Sequence, residues 1–271
     1  MFGVSRQAVY QSEQRLLGRE NELSTVKALV EKIRRTMPRI GTRKLYYLLK
    51  EEFNNHGIKI GRDALFDYLR RETMLVTPKK NYTKTTNSKH WLRKYPNLLK
   101  DVKPIQPEQY LVSDITYIKT NQRTHYLSLI TDAYSRKILG YHLSNDMSAE
   151  SVVKALKMAV KNKITNTKSI HHSDRGLQYC SEVYQKELAK NNITPSMTDG
   201  YDCYQNALAE RINGILKSEF LFYKCKNFID LKKLVIESIE TYNQKRPHLS
   251  LNYETPNFVH NKKPLKLTSK V

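Results

Sequence analysis

The stretch that most limits the fold begins at residue 109. "QYLVSDITYIKT", "THYLSLITDAYS" and "RKILGYHLS" run almost end to end through residue 144, rich in Tyr, Ile, Leu and Thr. Aromatic and β-branched residues suit a pleated, half-buried surface, and the polar breaks between the runs are too short for crossovers. An antiparallel meander of three strands is therefore expected. The rhythm then changes. "SAESVVKALKMAVKN" sets Val152, Ala155, Leu156 and Ala159 on one helical face. "KSIHHS" reads as a short strand, "SEVYQKELAKNN" as a helix and "ITPSM" as another short strand, while "NALAERINGILKSEFL" and "LKKLVIESIETYNQ" read as helical. A meander followed by strands that alternate with helices specifies an α/β fold, a mixed five-stranded sheet with helices on both faces.

Two of these strands carry carboxylates where apolar residues are expected. Alternation in "LVSDITYI" places Asp114 on the face of Val112, Thr116 and Ile118. An ionised carboxylate there costs several kcal/mol unless a cation or hydrogen bonds compensate. Asp174 stands at the exit of the strand at 168–172, in "SIHHSDRGLQYC", and strand C-terminal ends are where sites gather in α/β sheets. On the helix "NALAERINGILKSE", Leu208, Ile212, Ile215 and Leu216 form the expected inward stripe, leaving Glu210, Asn213, Gly214 and Lys217 on the other face. Spacing ties the acids together: 59 residues separate Asp114 from Asp174 and 35 separate Asp174 from Glu210 (174 − 114 − 1 and 210 − 174 − 1). Two Asp and a Glu are hard oxygen donors suited to Mg²⁺ or Mn²⁺. Phosphodiester chemistry uses such sets to hold two metals about 3.5–4 Å apart.

The balance of charge points to the partner. Lys and Arg number 47 against 26 Asp and Glu, a formal charge of +21, which favours a polyanion. No apolar run approaches the roughly 20 residues needed to span a bilayer, so no membrane role is expected. No apolar segment near the start reads as a signal peptide. Cys180, Cys203 and Cys225 form no CxxC pair, against a disulfide framework or a cysteine zinc site and in keeping with a cytoplasmic, nucleoid-associated protein.

Ahead of the sheet, residues 21–76 read as short helices joined by Gly-containing turns and rich in Arg and Lys, a helix-turn-helix-type DNA-binding module with Arg43, Lys44 and Arg62 as candidate contacts. A small helical bundle with a solvated basic face is the alternative. Residues 77–104 read as a basic linker, with seven Lys or Arg and no acid between 77 and 100. Lys79 and Lys80 are its candidate phosphate contacts, and Trp91 is a possible anchor.

Several blocks resemble one family. "SDITYI" with "YLSLITDAYSRKILGYHLS", "HHSDRGLQYCS", "SMTDGYDCYQNALAERINGILKSE" and "TYNQKRPHLSLNYETP" are similar, in this order, to bacterial insertion-sequence transposases of the DDE, retroviral-integrase superfamily, in the group whose catalytic protein comes from the second of two overlapping frames. "RIGTRKLYYLL" and "GIKIGRDALFDYLRRETM" resemble the helical module that precedes that core. Departures are Leu111 and Val112, where a Trp usually precedes the first aspartate, and Gln205, where an Asp is common. The resemblance implies a ribonuclease H-like core over 105–260 and a basic tail over 261–271. It also implies Asp114, Asp174 and Glu210 as catalytic and metal-binding residues with two Mg²⁺ (or Mn²⁺), element terminal inverted repeats and target DNA as substrates, and a homo-oligomer on DNA.

Gly176 would let backbone and a substrate phosphate approach closely. His172 either orients a carboxylate, touches phosphate or is a hydrogen-bonded structural residue. Arg175 reads as a phosphate or acid-pairing residue or as a plain surface cation, and Asn213 and Lys217 suit a DNA-facing edge. In "YNQKRPHLSLNYETP", Lys245, Arg246 and His248 either hold flanking DNA or belong to a loop packed on the core. A DNA-binding regulator with an inactive integrase-like core is the rival, as is a structure-specific nuclease of the same fold; the presence of all three acids disfavours the first and the preceding helical module the second.

"MFGVSRQAVYQSEQRLL" resembles the second half of a helix-turn-helix whose first half is missing. Residues 1–20 are thus expected to form a lone helix, packed on a partner or frayed. The resemblance implies that the missing half comes from an upstream overlapping frame.

Overall fold

A computed structural model describes residues 5–77, 91–100, 102–199 and 206–262. The chain divides into two units, Met1–Pro78 and Lys79–Val271.

The first unit is helical: α1 (Arg6–Arg34), α2 (Thr42–Asn55) and α3 (Arg62–Arg71). Ser5 caps α1, its hydroxyl accepting from Ala8 N at 3.2 Å. Where the sequence suggested a lone helix over 1–20 and a separate helical module from 21, the structure has one uninterrupted 29-residue helix. Only its second half packs. Val26 and Val30 are buried with Ile40, Leu45, Leu49, Leu65 and Leu69, whereas residues 5–22 are exposed along their whole length. Tyr68 reinforces the packed half by donating to Leu23 O at 3.0 Å. Gly57, at φ +66°, makes the left-handed turn that ends α2 and is the position there that needs glycine.

The second unit holds a five-stranded sheet in the order β3-β2-β1-β4-β5: β1 (Tyr110–Lys119), β2 (Thr124–Asp132), β3 (Ile138–Ser144), β4 (Ile170–Ser173) and β5 (Thr194–Met197). β1 pairs antiparallel with β2 and β2 with β3, while β1–β4 and β4–β5 are parallel. The meander and the mixed sheet are as the residue pattern indicated. Between and after the strands lie α4 (Ala149–Lys161), the short α5 (Leu177–Cys180), α6 (Glu182–Lys190), α7 (Ala207–Ile215), a π-helical turn over Leu216–Phe220, α8 (Phe228–Gln244) and α9 (Pro256–Asn261).

The pleat of β1 divides the core. Leu111 faces one side, with Ile130, Leu139, the apolar stripe of α4, Tyr179, Tyr184 and Leu188. Tyr110 and Val112 face the other, with Ala133 and Ala209 of α7. Helices therefore cover both faces. Gly140 permits the close seat of α4, because a Cβ there would stand 2.1 Å from Ala155 O.

Residues 91–100 depart from the linker expected over 77–104. Leu98 N donates to Ser196 Oγ at 2.9 Å, Met197 N donates to Pro96 O at 3.3 Å, and Leu92, Tyr95 and Leu99 pack on the two core clusters. This stretch is part of the sheet unit. Trp91 is 93% exposed, so it is not packed as an anchor on the described residues. Lys79, Lys80, Cys203 and the tail beyond Lys262 lie outside the described residues. Among the described residues no helix is long and apolar enough to cross a membrane.

Candidate active site

Asp114 sits mid-strand in β1 on the face of Val112, the side on which α7 packs. Its Oδ1 accepts from Ile115 N at 2.9 Å and its Oδ2 from Asn213 Nδ2 at 2.8 Å. Burial, then the charge of Asp174, with Glu210 adding to it, push Asp114 up to about 7 against the opposing pull of those two hydrogen bonds. Asp174 follows the last residue of β4, in the strand-exit position, and its Oδ1 accepts from Gly176 N at 3.0 Å. Gly176 has an ordinary φ of −65°, so its contribution is space: a Cβ there would meet Asp174 Oδ1 at 3.0 Å. Glu210 lies in the first turn of α7 and is raised by burial and then by Asp174.

Asp114 and Asp174 thus lie just past the last β1–β4 pair, and Glu210 is on the helix that packs on the Asp114 face. The β1–β4 register stops at Val112–His172, two residues before Asp114 on one strand and two before Asp174 on the other. A group of carboxylates that raise each other's affinity for protons equally favours a cation, and two Asp and a Glu supply the hard oxygen donors Mg²⁺ or Mn²⁺ takes. The donor chemistry fits. Among the described residues no three His, Cys, Asp or Glu side chains are yet set to hold a metal, and Asp114 is turned to Asn213 and its own backbone.

Asn213 corrects the helical-face assignment. The buried residues of α7 are Ala209, Ile212 and Asn213, followed by Leu216, while Leu208 and Ile215 are only half-buried. Asn213 is thus an inward residue holding Asp114, and at 4% exposure it does not line a DNA-facing edge. Lys217, one turn on, does stand at the surface; burial of its stem lowers its ammonium and the charge of Asp114 draws it up again.

The other candidates separate cleanly. Arg246 is buried, donating to Glu219 from Nε at 2.8 Å and from Nη2 at 2.6 Å, with Nη1 3.0 Å from His248 Nε2. It is an internal ion-pair residue and not a DNA contact, because its donors are turned inward to the core. Lys245, beside it, is exposed. His248 packs edge-on against Tyr242, so this segment is a loop packed on the core. His172 Nδ1 lies 2.9 Å from Ser196 Oγ and His171 Nε2 lies 2.8 Å from Tyr184 Oη; both rings are buried, and burial with the neighbouring His172 holds His171 at about 3. These histidines are structural. Arg175 is half-buried immediately after Asp174. In the helical unit Arg43 is exposed, Lys44 half-buried, and Arg62 is exposed and paired with Asp63 at 2.8 Å.

Residues that the pattern did not single out also shape the site. Ser113 is buried with its hydroxyl 2.8 Å from Tyr179 Oη, and Asn206 Nδ2 donates to Ser113 O at 3.0 Å.

Residues 104–203 match the family model "Integrase core domain", and 191–256 match a second model of the same description. The "Insertion element IS600 uncharacterized 31 kDa protein" of Shigella sonnei is 35% identical over 262 residues, covering 94% of each chain. "Transposase InsF for insertion sequence IS3A" of Escherichia coli (strain K12) is 31% identical over 205 residues, 74% of this chain and 70% of that one. Among solved structures, a simian T-cell lymphotropic virus intasome chain, in complex with PP2A regulatory subunit B56 gamma, superposes with TM-score 0.53 at 18% identity, covering 83% of this chain and 76% of that one.

Sheet order and family match together define a ribonuclease H-like integrase core behind a helical N-terminal region. More narrowly, the chain belongs to the insertion-sequence transposases of the DDE type, which makes it a polynucleotidyl transferase.

Proposed function

We propose that this transposase cuts the ends of its own element and joins them to target DNA, with Asp114, Asp174 and Glu210 as the catalytic acids. In the cutting step a water oxygen bonds to the scissile phosphorus, the bridging 3′ oxygen leaves, and it takes a proton to become a 3′-OH. In the joining step that 3′-OH bonds to a target phosphorus, loses its proton, and displaces the target's own 3′ oxygen. The observation that carries this reading is the placement of the acids: Asp114 on β1 and Asp174 after β4 lie just past the last β1–β4 pair, and Glu210 is on α7, which packs on the Asp114 face.

Two Mg²⁺ (or Mn²⁺) would be held by the three carboxylates and would supply charge for the attacking and leaving oxygens. The chain's own residues do the rest. Asn213 holds the Asp114 carboxylate, and Gly176 leaves room for that of Asp174. Lys217 at the rim and Arg175 beside Asp174 are suited to phosphate, as are Lys245 and, in the helical unit, Arg43, Lys44 and Arg62. Lys79 and Lys80 add to the basic run of the sequence over 79–100.

The DNA substrates are the element's terminal inverted repeats and a target duplex, engaged by a homo-oligomer. The exposed first half of α1 is read as the segment completed by the product of an upstream overlapping frame. Replacing Glu210 with Gln tests the assignment. Cleavage of labelled ends should vanish while end binding persists, and cleavage near the parental rate would remove Glu210 from the site.

A further inference from the structure

We infer that Ser113 is the point at which the three acid-bearing segments are tied together, so that Tyr179 and Asn206, which bind it, are positioning residues for the catalytic carboxylates. This rests on the reading of Asp114, Asp174 and Glu210 as one metal site.

The pleat of β1 sets neighbouring residues on opposite faces. Asp114 faces α7, so its neighbour Ser113 faces the opposite side, where Tyr179 lies. Tyr179 is on α5, five residues after Asp174, and is 1% exposed. Its Oη stands 2.8 Å from Ser113 Oγ, which is also 3.0 Å from Leu129 O on β2. One hydroxyl proton cannot serve both oxygens. A carbonyl can only accept, so Ser113 donates to Leu129 and the phenol donates to Ser113. The Asp174 loop is in this way fastened to the residue before Asp114. Burial first, then the neighbouring Tyr184, then the charges of Asp114 and Asp174 push the phenol up.

The third segment reaches the same residue through its backbone. Asn206 immediately precedes α7, four residues before Glu210, and its buried amide donates to Ser113 O at 3.0 Å. Strand pairing between β1 and β4 ends at Val112, one residue earlier, so an asparagine side chain binds β1 where the ladder has stopped. The first of these bonds joins positions 66 residues apart in the chain and the second positions 93 apart. Neither bond reaches a carboxylate, so both act through the segments they hold.

Partners of this kind behind metal-binding residues typically contribute about 10–100-fold to metal affinity or activity. The test uses the full chain. Mn²⁺ binding is followed by electron paramagnetic resonance, beside thermal unfolding and end cleavage, for Tyr179→Phe, Asn206→Ala and the control Tyr242→Phe. Tyr242 is an equally buried tyrosine in the same unit whose hydroxyl donates to Arg136 O, away from the acids.

Tyr179→Phe and Asn206→Ala should each bind Mn²⁺ about 10–100-fold more weakly and lose kcat in step, with KM for DNA ends unchanged. Tyr242→Phe should lose comparable thermal stability and keep its Mn²⁺ affinity. The inference is overturned if the two variants hold Mn²⁺ within about twofold of the parent, or if Tyr242→Phe weakens it as much. Should one of the two variants fail to fold by circular dichroism, the other decides on the same criterion. Asp174→Asn separates this from the underlying reading. If that change leaves Mn²⁺ binding intact, the metal site itself is wrong; if it removes binding while Tyr179→Phe does not, only the role of Ser113 fails.

Discussion

Arg246 lies in a motif rich in cations, yet its geometry predicts a stability defect and no loss of DNA contact. The guanidinium meets Glu219 in two parallel bonds of 2.8 and 2.6 Å, and its carbon lies 5.9 Å from the centre of the Tyr242 ring. The side chains are 3% and 15% exposed, so water screens the pair little. Arg246→Met removes one partner and leaves Glu219 with an uncompensated charge in a mostly dry site. Breaking such a pair costs about 3–5 kcal/mol, because the stranded charge keeps its desolvation penalty and loses its attraction. For a domain of about 150–250 residues each kcal/mol lowers Tm by about 2–4 °C, so a fall of about 6–20 °C follows. The double variant Arg246→Met/Glu219→Leu should recover most of it, since a matched apolar pair has no charge to strand. Calorimetry measures the first quantity, and end binding at fixed salt, on folded protein at low temperature, measures the second. Lys245→Ala, at an exposed position, should leave Tm unchanged. A Tm within about 2 °C of the parent combined with weakened DNA binding by Arg246→Met would refute the reasoning.

Asp114, raised to about 7, binds a proton in the folded state more readily than in the unfolded chain, so it destabilises the metal-free protein increasingly as pH rises from about 4 through 7. Asp114→Asn should therefore raise Tm in EDTA at pH 8, by at most the ~4 kcal/mol of the full shift, and leave it unchanged at pH 4; no difference between the two pH values would contradict the raised carboxyl. His260 is held between Glu108 Oε1 at 3.2 Å and Asp132 Oδ2 at 3.3 Å, and is raised because these bonds outweigh the opposing effect of burial. A raised histidine gives stability that is fully present below about 6.5 and lost as pH climbs through its folded value, so Tm should fall above neutrality and His260→Gln should flatten that fall. In α1, amide hydrogen exchange should be fast over 6–20 and slow over 26–34, where Val26 and Val30 are buried, and slow exchange of the first half in a monomer would show that it is already docked.

The parts legible in the sequence were those written in local periodicity. The strand runs at 109–144 and the stripe Val152, Ala155, Leu156, Ala159 are recorded in neighbouring residues, and they occupy the expected strands and buried face. The continuity of α1 past residue 20 was not legible, because its first half is exposed and leaves no apolar stripe to join to the second. A serine or threonine inside a helix can bond back to the preceding turn, as Thr25 Oγ1 does to Asn21 O at 3.1 Å, so such residues need not mark an end. Residues 91–100 show no period because isolated side chains and backbone groups dock them on β5.

The same distinction explains the site. A carboxylate on an apolar strand is costly wherever the chain folds, so Asp114 declares itself from its immediate neighbours. What offsets that cost does not. Asn213 meets Asp114 across 99 residues, and in a helical wheel a buried polar residue is indistinguishable from a solvated one. Arg246 is the mirror case: the sequence displays its charge, and only Glu219, 27 residues upstream, shows that the charge is spent inside the protein. In this chain the groups that react are therefore easier to read than the groups that hold them, because reactivity resides in single side chains and support resides in pairs that only the fold brings together.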